Sequence, residues 1–232
     1  MLDNWKLKDF TPGEGIVLKA YAVDYDIDDW IDVTVPGDVH QALIAAGCIK
    51  NPFYDRNELE CAWVEEREWW YRTRLTYQQV PLEPDERLLL IFHGLDTFVT
   101  IWLNGHELGR HSNMFRLAVF DVSRRICTDG PNSLALCFHR PLDEVEEAKS
   151  PQWEGRPMPP RNLMRKAQFS YGWDWGPRLP TIGIWRPVEL RRQQHAAIQG
   201  IQFATTEIDK QQDRALVLFK VEVERFNRYR KI

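Results

Sequence analysis

Apolar residues in this chain recur mainly at period two, the spacing of strands. Trp69-Trp70-Tyr71-Arg72-Thr73-Arg74-Leu75-Thr76-Tyr77 opens on aromatics and then alternates apolar with polar, as a half-buried strand does. Residues 87–92 hold an unbroken apolar run, which predicts a strand buried on both faces. Residues 98–103 run into Asn104-Gly105 and then His106-Glu107-Leu108. A type I′ turn needs positive φ at both central residues, and Asn-Gly tolerates it, so a hairpin is predicted there. Residues 116–122 and 133–139 read as two more strands, separated by the breaker Asp129-Gly130-Pro131-Asn132. Residues 184–190 read as another, with Pro187 favouring a sheet edge. Two helices interrupt the strands. One spans 39–46, with Asp38 placed to cap its start and Gly47 its end. The other spans 142–149, with acids in its first turns and Lys149 last, the order the helix dipole favours. The pattern predicts a mainly β fold, an antiparallel sandwich with short helical insertions.

Residues 150–161 are proline-rich (Pro151, Pro157, Pro159, Pro160) and predict irregular structure. A boundary is expected near residues 193–197. Beyond it come 198–205 and 215–224, the latter alternating cleanly, as the first two strands of a second β domain. Two strands do not fold alone, so the chain is expected to stop partway into that domain.

Composition narrows the function classes. The 232 residues include ten Trp, which suits a globular chain with a sizeable core. A formal net charge of −4 and the absence of a basic block argue against nucleic acid as a partner. Arg225, Arg228, Arg230 and Lys231 are interleaved with aromatics and read as a solvated end. The opening residues Met1-Leu2-Asp3-Asn4-Trp5-Lys6 lack a signal-peptide run, and no stretch approaches the ~20 apolar residues of a membrane helix. Cys48, Cys61, Cys127 and Cys137 match neither zinc nor dithiol spacing, so reduced thiols in a cytoplasmic protein are expected. His93, His106, His111, His139 and His195 show no metal spacing, and neither metal nor cofactor is expected. His40 and Asp38 read as a surface histidine and a helix cap.

The densest chemistry is Tyr171-Gly172-Trp173-Asp174-Trp175-Gly176-Pro177-Arg178. Two tryptophans around a carboxylate suit a sugar, whose apolar ring faces meet Trp and whose hydroxyls meet Asp and Arg. The same residues also suit a structural corner, with Asp174 capping a turn and the tryptophans in the core. The two readings stand level on chemistry alone. The acidic groups Glu65-Glu66, Glu144/Glu146/Glu147 and Asp24/Asp26/Asp28/Asp29 read as solvated surface, because acid–base work needs one carboxyl held protonated by an apolar setting.

Several blocks resemble the N-terminal domain of family 2 glycoside hydrolases, most closely of β-mannosidases. They are Val35-Pro36-Gly37-Asp38-Val39-His40, Trp69-Trp70-Tyr71-Arg72, Phe92-His93-Gly94-Leu95-Asp96-Thr97-Phe98 and Leu103-Asn104-Gly105. Asn113-Met114-Phe115-Arg116, Arg165-Lys166-Ala167-Gln168, residues 172–178 and Gly183-Ile184-Trp185-Arg186-Pro187-Val188 follow in order. The resemblance implies a jelly-roll sugar-binding-type domain over residues 1–194 and the beginning of an immunoglobulin-like domain over 195–232. A (β/α)₈ barrel, with which the first domain would pack, would follow and carry the chemistry. It implies retaining hydrolysis of terminal β-mannosides by two barrel glutamates ~5 Å apart, so no catalytic residue is expected in this chain. Asp174 would reach the barrel's sugar site and orient hydroxyls. Trp173 and Trp175 would flank it, turned to core or domain interface if the segment is extended. Arg178 would neutralise Asp174 or pin the loop. A self-standing carbohydrate-binding module and a β-sandwich for protein contacts are the alternatives.

Overall fold

Strand β3 (Glu68–Thr76) shows how the fold is organised: its first six residues are all buried. Such a strand needs cover on both faces, and both are covered. The computed structural model describes residue 2 and residues 4–77, 82–146, 152–153, 156–157 and 160–226. In chain order the strands are β1 (Asn4–Phe10), β2 (Ile31–Thr34), β3, β4 (Glu86–Phe92), β5 (Val99–Leu103), β6 (His106–His111), β7 (Ala118–Asp121) and β8 (Pro131–Phe138). After the short strands β9 (Gln152–Trp153) and β10 (Arg156–Pro157) come β11 (Tyr171–Trp173), β12 (Gly176–Arg178), β13 (Val188–Gln194), β14 (Ala196–Asp209) and β15 (Arg214–Arg225). Sheet order β2-β1-β3-β8-β5-β6 faces a second sheet, β13-β4-β7, and all pairings are antiparallel. The fold is the expected mainly β, jelly-roll-like sandwich.

Alternation sorts the side chains. Trp5, Leu7, Trp69, Tyr71, Ile101 and Phe138 point inward against Leu88, Leu90 and Phe92 of the second sheet, forming the main core. Phe10, Trp70, Trp102, Ala135 and Cys137 lie on the outer face, where segment 11–30 covers them with Ala20 and Trp30. Trp70 stacks on Trp102 at 5.2 Å, and Tyr21 stacks on Trp102 at 5.4 Å. Arg72 fastens this cover. Its guanidinium donates to the carbonyls of Ala20 and Ala22 and to Ser133 Oγ, and burial brings its pKa down to about 10. The two-sided burial expected of residues 87–92 is more complete on β3, β5 and β8, because Leu89 on the outer face of the smaller sheet is only half-buried.

The Asn104-Gly105 turn has φ of 53° and 77°, as the hairpin requires. The helices are α1 (Glu14–Val17), α2 (Val39–Ala45), α3 (Asn57–Glu60) and α4 (Asp143–Glu146). The Asp38 side chain accepts from the N–H groups of His40 and Gln41, and Gly47 follows with φ 71°. His40 is buried rather than on the surface, because the start of α2 bonds to the Ile182 carbonyl and packs inward. Helices α1 and α3 are single turns, too short to leave a periodic signal. Of the helix expected over 142–149, one turn falls within the described residues; residues 147–150 lie outside them. So do Pro151, Pro159, Arg228, Arg230 and Lys231.

The strand expected over 184–190 begins later, at Val188. Proline offers no N–H to a ladder, and Trp185 turns instead onto Gly94, where a Cβ would meet its ring at 2.6 Å. The chain turns at His195 (φ 63°) into the β14–β15 ribbon. Paired positions Ile198/Val223, Ile201/Val221 and Phe203/Phe219 put one apolar face of that ribbon in solvent.

Two outcomes test this packing. An ideal Cβ on Gly15 would sit 2.4 Å from Trp70 Nε1. Helix propensity alone would favour G15A by ~1 kcal/mol. Overpacking costs about 1–3 kcal/mol, so urea unfolding of G15A is expected to show a net loss of stability with an unchanged m-value. At the start of β4, Glu86 accepts from Arg192, from the Glu83 N–H and from Gln194, which brings its pKa down to about 2. A depressed carboxylate contributes stability above the unfolded value of 4.5 and loses it as pH falls towards 2. Stability of E86Q is therefore expected to fall less steeply than that of the parent over this window, read by denaturation at each pH.

Candidate functional site

The Trp-Asp-Trp stretch is a small hairpin. Tyr171 pairs with Arg178 and Trp173 with Gly176, leaving Asp174 and Trp175 as the two turn residues. Gly172 has φ +80°, and a Cβ there would stand 3.1 Å from the Arg178 nitrogen, so only glycine fits. The turn removes the basis for opposed side-chain directions, which holds only for an extended strand. Both tryptophans are outside the core: Trp173 is 61% and Trp175 82% exposed, and their rings tilt together at 5.4 Å. Asp174 is exposed, and among the described residues it has no hydrogen-bond or ion-pair partner.

The root of the hairpin is fixed. Tyr171 is buried against Met164 and Val145, and its hydroxyl donates to Met164 Sδ at 2.9 Å. Arg178 does not touch Asp174. Its Nε and Nη2 donate to Glu65 Oε1 and Oε2, each at 2.8 Å, and its guanidinium lies 5.1 Å from the Tyr171 ring centre. The hydrogen bonds that Arg178 donates to Glu65 raise its pKa further. Glu65 was expected to be solvated, yet its side chain is only 15% exposed, because the 3-10 turn Ala62–Glu66 holds it beneath Arg178. Glu66 instead pairs with Arg140 at 2.8 Å, and Asp29 with Lys8.

A second anchor lies upstream. Lys166 is fully buried, with Nζ 2.6 Å from both Asp96 carboxylate oxygens and donating also to the Thr181 carbonyl. Thr181 Oγ1 donates to Asp96 Oδ2 at 2.7 Å. Burial lowers the Lys166 pKa, and Asp96 opposes that shift. Asp96 and Gly183 exchange backbone hydrogen bonds at 2.9 and 3.0 Å, and the Met114 N–H donates to the Arg165 carbonyl. Residues from the separate sequence blocks at 36–38, 96, 113–114, 165–166 and 181–185 thus meet at one place. A cavity of about 430 Å³ between Pro36, Asp38, Asp96, Phe169 and Trp185 lies at this junction.

Asp174 faces an open cleft of about 350 Å³ that also takes in Phe53, Asp55, Glu58, Trp173 and Trp175. Segment 51–57 was not expected to contribute. Asn51 shapes it, accepting from the Phe53 N–H through its side chain and from Asn57 Nδ2 through its carbonyl, and this leaves Phe53 77% exposed. The signal available was Phe53-Tyr54 set among turn formers, an aromatic pair with no strand to bury it. Aromatic faces beside carboxylates can hold a polyol by stacking and by accepting its hydroxyl protons. A larger cavity of about 590 Å³, between Arg87, Arg124, Arg125 and Phe226, contains none of these residues.

Residues 5–186 match the family described as glycosyl hydrolase 2 galactose-binding domain-like. β-Mannosidase B of Aspergillus terreus is 39% identical over 175 residues, covering 73% of this chain and 20% of that protein. β-Mannosidase A of Emericella nidulans is 33% identical over 194 residues, covering 79% and 20%. A β-D-mannosidase crystal structure from Dictyoglomus thermophilum superimposes with a TM-score of 0.77 at 32% identity, over 97% of this chain and 26% of that one. The chain therefore spans about a fifth of the length of the first two relatives. Among the described residues no helix is long and apolar enough to cross a membrane.

Two measurements check the anchors. Replacing Lys166 by Met leaves Asp96 buried and uncompensated, which is expected to cost about 3–5 kcal/mol in denaturant unfolding. E65A and R178A, whose pair is partly exposed, are expected to cost only about 0.2–1 kcal/mol. Each should therefore speed amide exchange in residues 171–178 a few-fold, and the double variant should add little to either alone.

Proposed function

The chain belongs to the glycosyl hydrolase 2 galactose-binding domain-like family, and from that premise we propose that it is the non-catalytic N-terminal part of a retaining β-mannosidase. Its task is to supply a hairpin that completes a sugar site built mainly by a later barrel domain. The observation that carries this reading is Asp174, a carboxylate with no partner among the described residues, at the tip of a rigidly rooted hairpin, between two solvent-exposed tryptophans. Leaving two indoles in water is unfavourable, and the arrangement becomes favourable when another surface and a sugar cover them. Asp174 accepts hydroxyl protons and orients the mannoside; proton transfer and nucleophilic attack belong to barrel glutamates. The likeness to β-mannosidases supports the β-mannoside as substrate.

The apolar face of β14–β15 supports the same arrangement, since a ribbon with Ile201, Phe203, Phe219 and Val221 in solvent is half of something. We assign residues 195–232 to the beginning of an immunoglobulin-like sandwich. Four free cysteines are in keeping with a reducing, cytoplasmic setting.

The test is D174A in the full-length enzyme. Losing a charged acceptor of hydroxyl protons is worth about 1.5–3 kcal/mol, so kcat/KM towards a β-mannoside is expected to fall roughly 10- to 150-fold. The fold should be unchanged, because Asp174 is exposed and bonds to nothing else among the described residues. Unaltered kinetics would remove the assigned role.

A further inference from the structure

On the outer face of the large sheet, the fold gathers three metal-ligating side chains away from the hairpin. Glu68 lies at the start of β3; Cys137 lies on β8 and His139 just beyond its end. β3 and β8 pair Trp69 with Phe138, so Glu68 and His139 fall on the next step of the ladder, and Cys137 is two residues from His139 on the same face. The carboxylate, thiol and imidazole atoms all lie within 4.8 Å of one another. Cys137 Sγ is 3.7 Å from His139 Nδ1, which is 2.8 Å from Glu68 Oε1. Ligands around a tetrahedral Zn²⁺ with bonds of about 2.0–2.3 Å stand roughly 3.3–3.7 Å apart, so small side-chain movements suffice.

We propose that Glu68, Cys137 and His139 form a three-ligand Zn²⁺ site that staples β3 to β8 beneath segment 11–30. The donor set of one sulfur, one nitrogen and one oxygen suits zinc rather than calcium or magnesium. The surroundings are already those a ligating histidine uses. His139 Nε2 lies 2.7 Å from Thr100 Oγ1, which fixes the ring, and the metal would replace the present Nδ1–Glu68 Oε1 contact by binding both atoms. The Gly13 N–H donates to Glu68 Oε2 at 2.9 Å, steadying the carboxylate and tying segment 11–30 to the site. Cys137 is buried, and burial first and the Glu68 charge second push its thiol well up, so it stays a protonated thiol until a cation displaces the proton. Binding balances simply: the metal displaces one proton from Cys137 Sγ, neutral His139 keeps its single proton on Nε2 toward Thr100 Oγ1 and gives the metal its Nδ1 lone pair, and water takes the fourth position. The histidine spacing gave no hint of this, because the third ligand comes from a different strand.

The experiment uses the whole chain with C48S and C127S, which removes the two exposed thiols. After chelator treatment and dialysis the protein is titrated with Co²⁺ and then Zn²⁺. The expected result is one equivalent of Co²⁺ with a near-ultraviolet thiolate-to-cobalt band, displaced by Zn²⁺ and abolished in C137A. At a hundredfold excess over Kd, Zn²⁺ should raise Tm by about 5–10 °C. Absence of the thiolate band in the C48S/C127S protein, or a band and Tm shift that survive C137A, would overturn the proposal. Should C137A not fold, the band and Tm shift of the parent decide alone, with H139Q expected to weaken both.

Discussion

The buried pair between Lys166 and Asp96 is the constraint on which the irregular part of the molecule depends. Residues 160–187 contain no long strand and bury few apolar side chains, so ladder hydrogen bonds cannot place them. A single ammonium, stripped of water, is held by two carboxylate oxygens and by Thr181. Breaking such a contact exposes one uncompensated charge to a low-dielectric interior, which confers an all-or-none character that a surface pair lacks. Because Asp96 sits between β4 and β5, the clamp refers the whole segment to the sandwich core. Glu65–Arg178 then sets the fine position of the hairpin, at far lower energy but with two parallel hydrogen bonds that fix its orientation.

The regular half of this protein was legible because its signals are local. Alternation placed β3, the breaker at 129–132 set off β8, and Asn104-Gly105 announced the β5–β6 hairpin. Asp38 and Gly47 bracketed α2 because cap chemistry acts within a few residues. What the sequence hid was non-local. Arg72 reads as the polar half of an alternating strand, yet it is buried, because a loop fifty residues earlier supplies its acceptors. Glu65 reads as surface, and Arg178 on the far side of the sandwich sequence changes that. His40 reads as a cap neighbour, and tertiary packing buries it. Each misreading involves a long polar side chain whose partner lies more than forty residues away or a surface closed by another element.

The candidate site was legible in type and not in geometry. Composition marked Trp173, Asp174, Trp175 and Arg178 as a unit. It did not show that Asp174 and Trp175 are turn residues, and an extended reading would have sent the tryptophans inward. Nor did it bring in Phe53, Asp55 and Glu58, which reach the cleft from a separate loop.

The two exposed aromatic regions obey opposite logic. On the ribbon β14–β15 the apolar residues form a continuous face in register, the form a sheet takes before a second sheet packs on it. At the hairpin tip, the tryptophans flank a charge and share a cleft with Asp55 and Glu58. A surface built to be buried dry would not carry three carboxylates, since each would need a paired donor on the partner. A surface built to meet hydroxyls under partial shelter needs those acceptors. The distribution of charge therefore separates the two regions: the ribbon face has the character of protein packing, and the hairpin cleft carries the acceptors that the proposed sugar site needs.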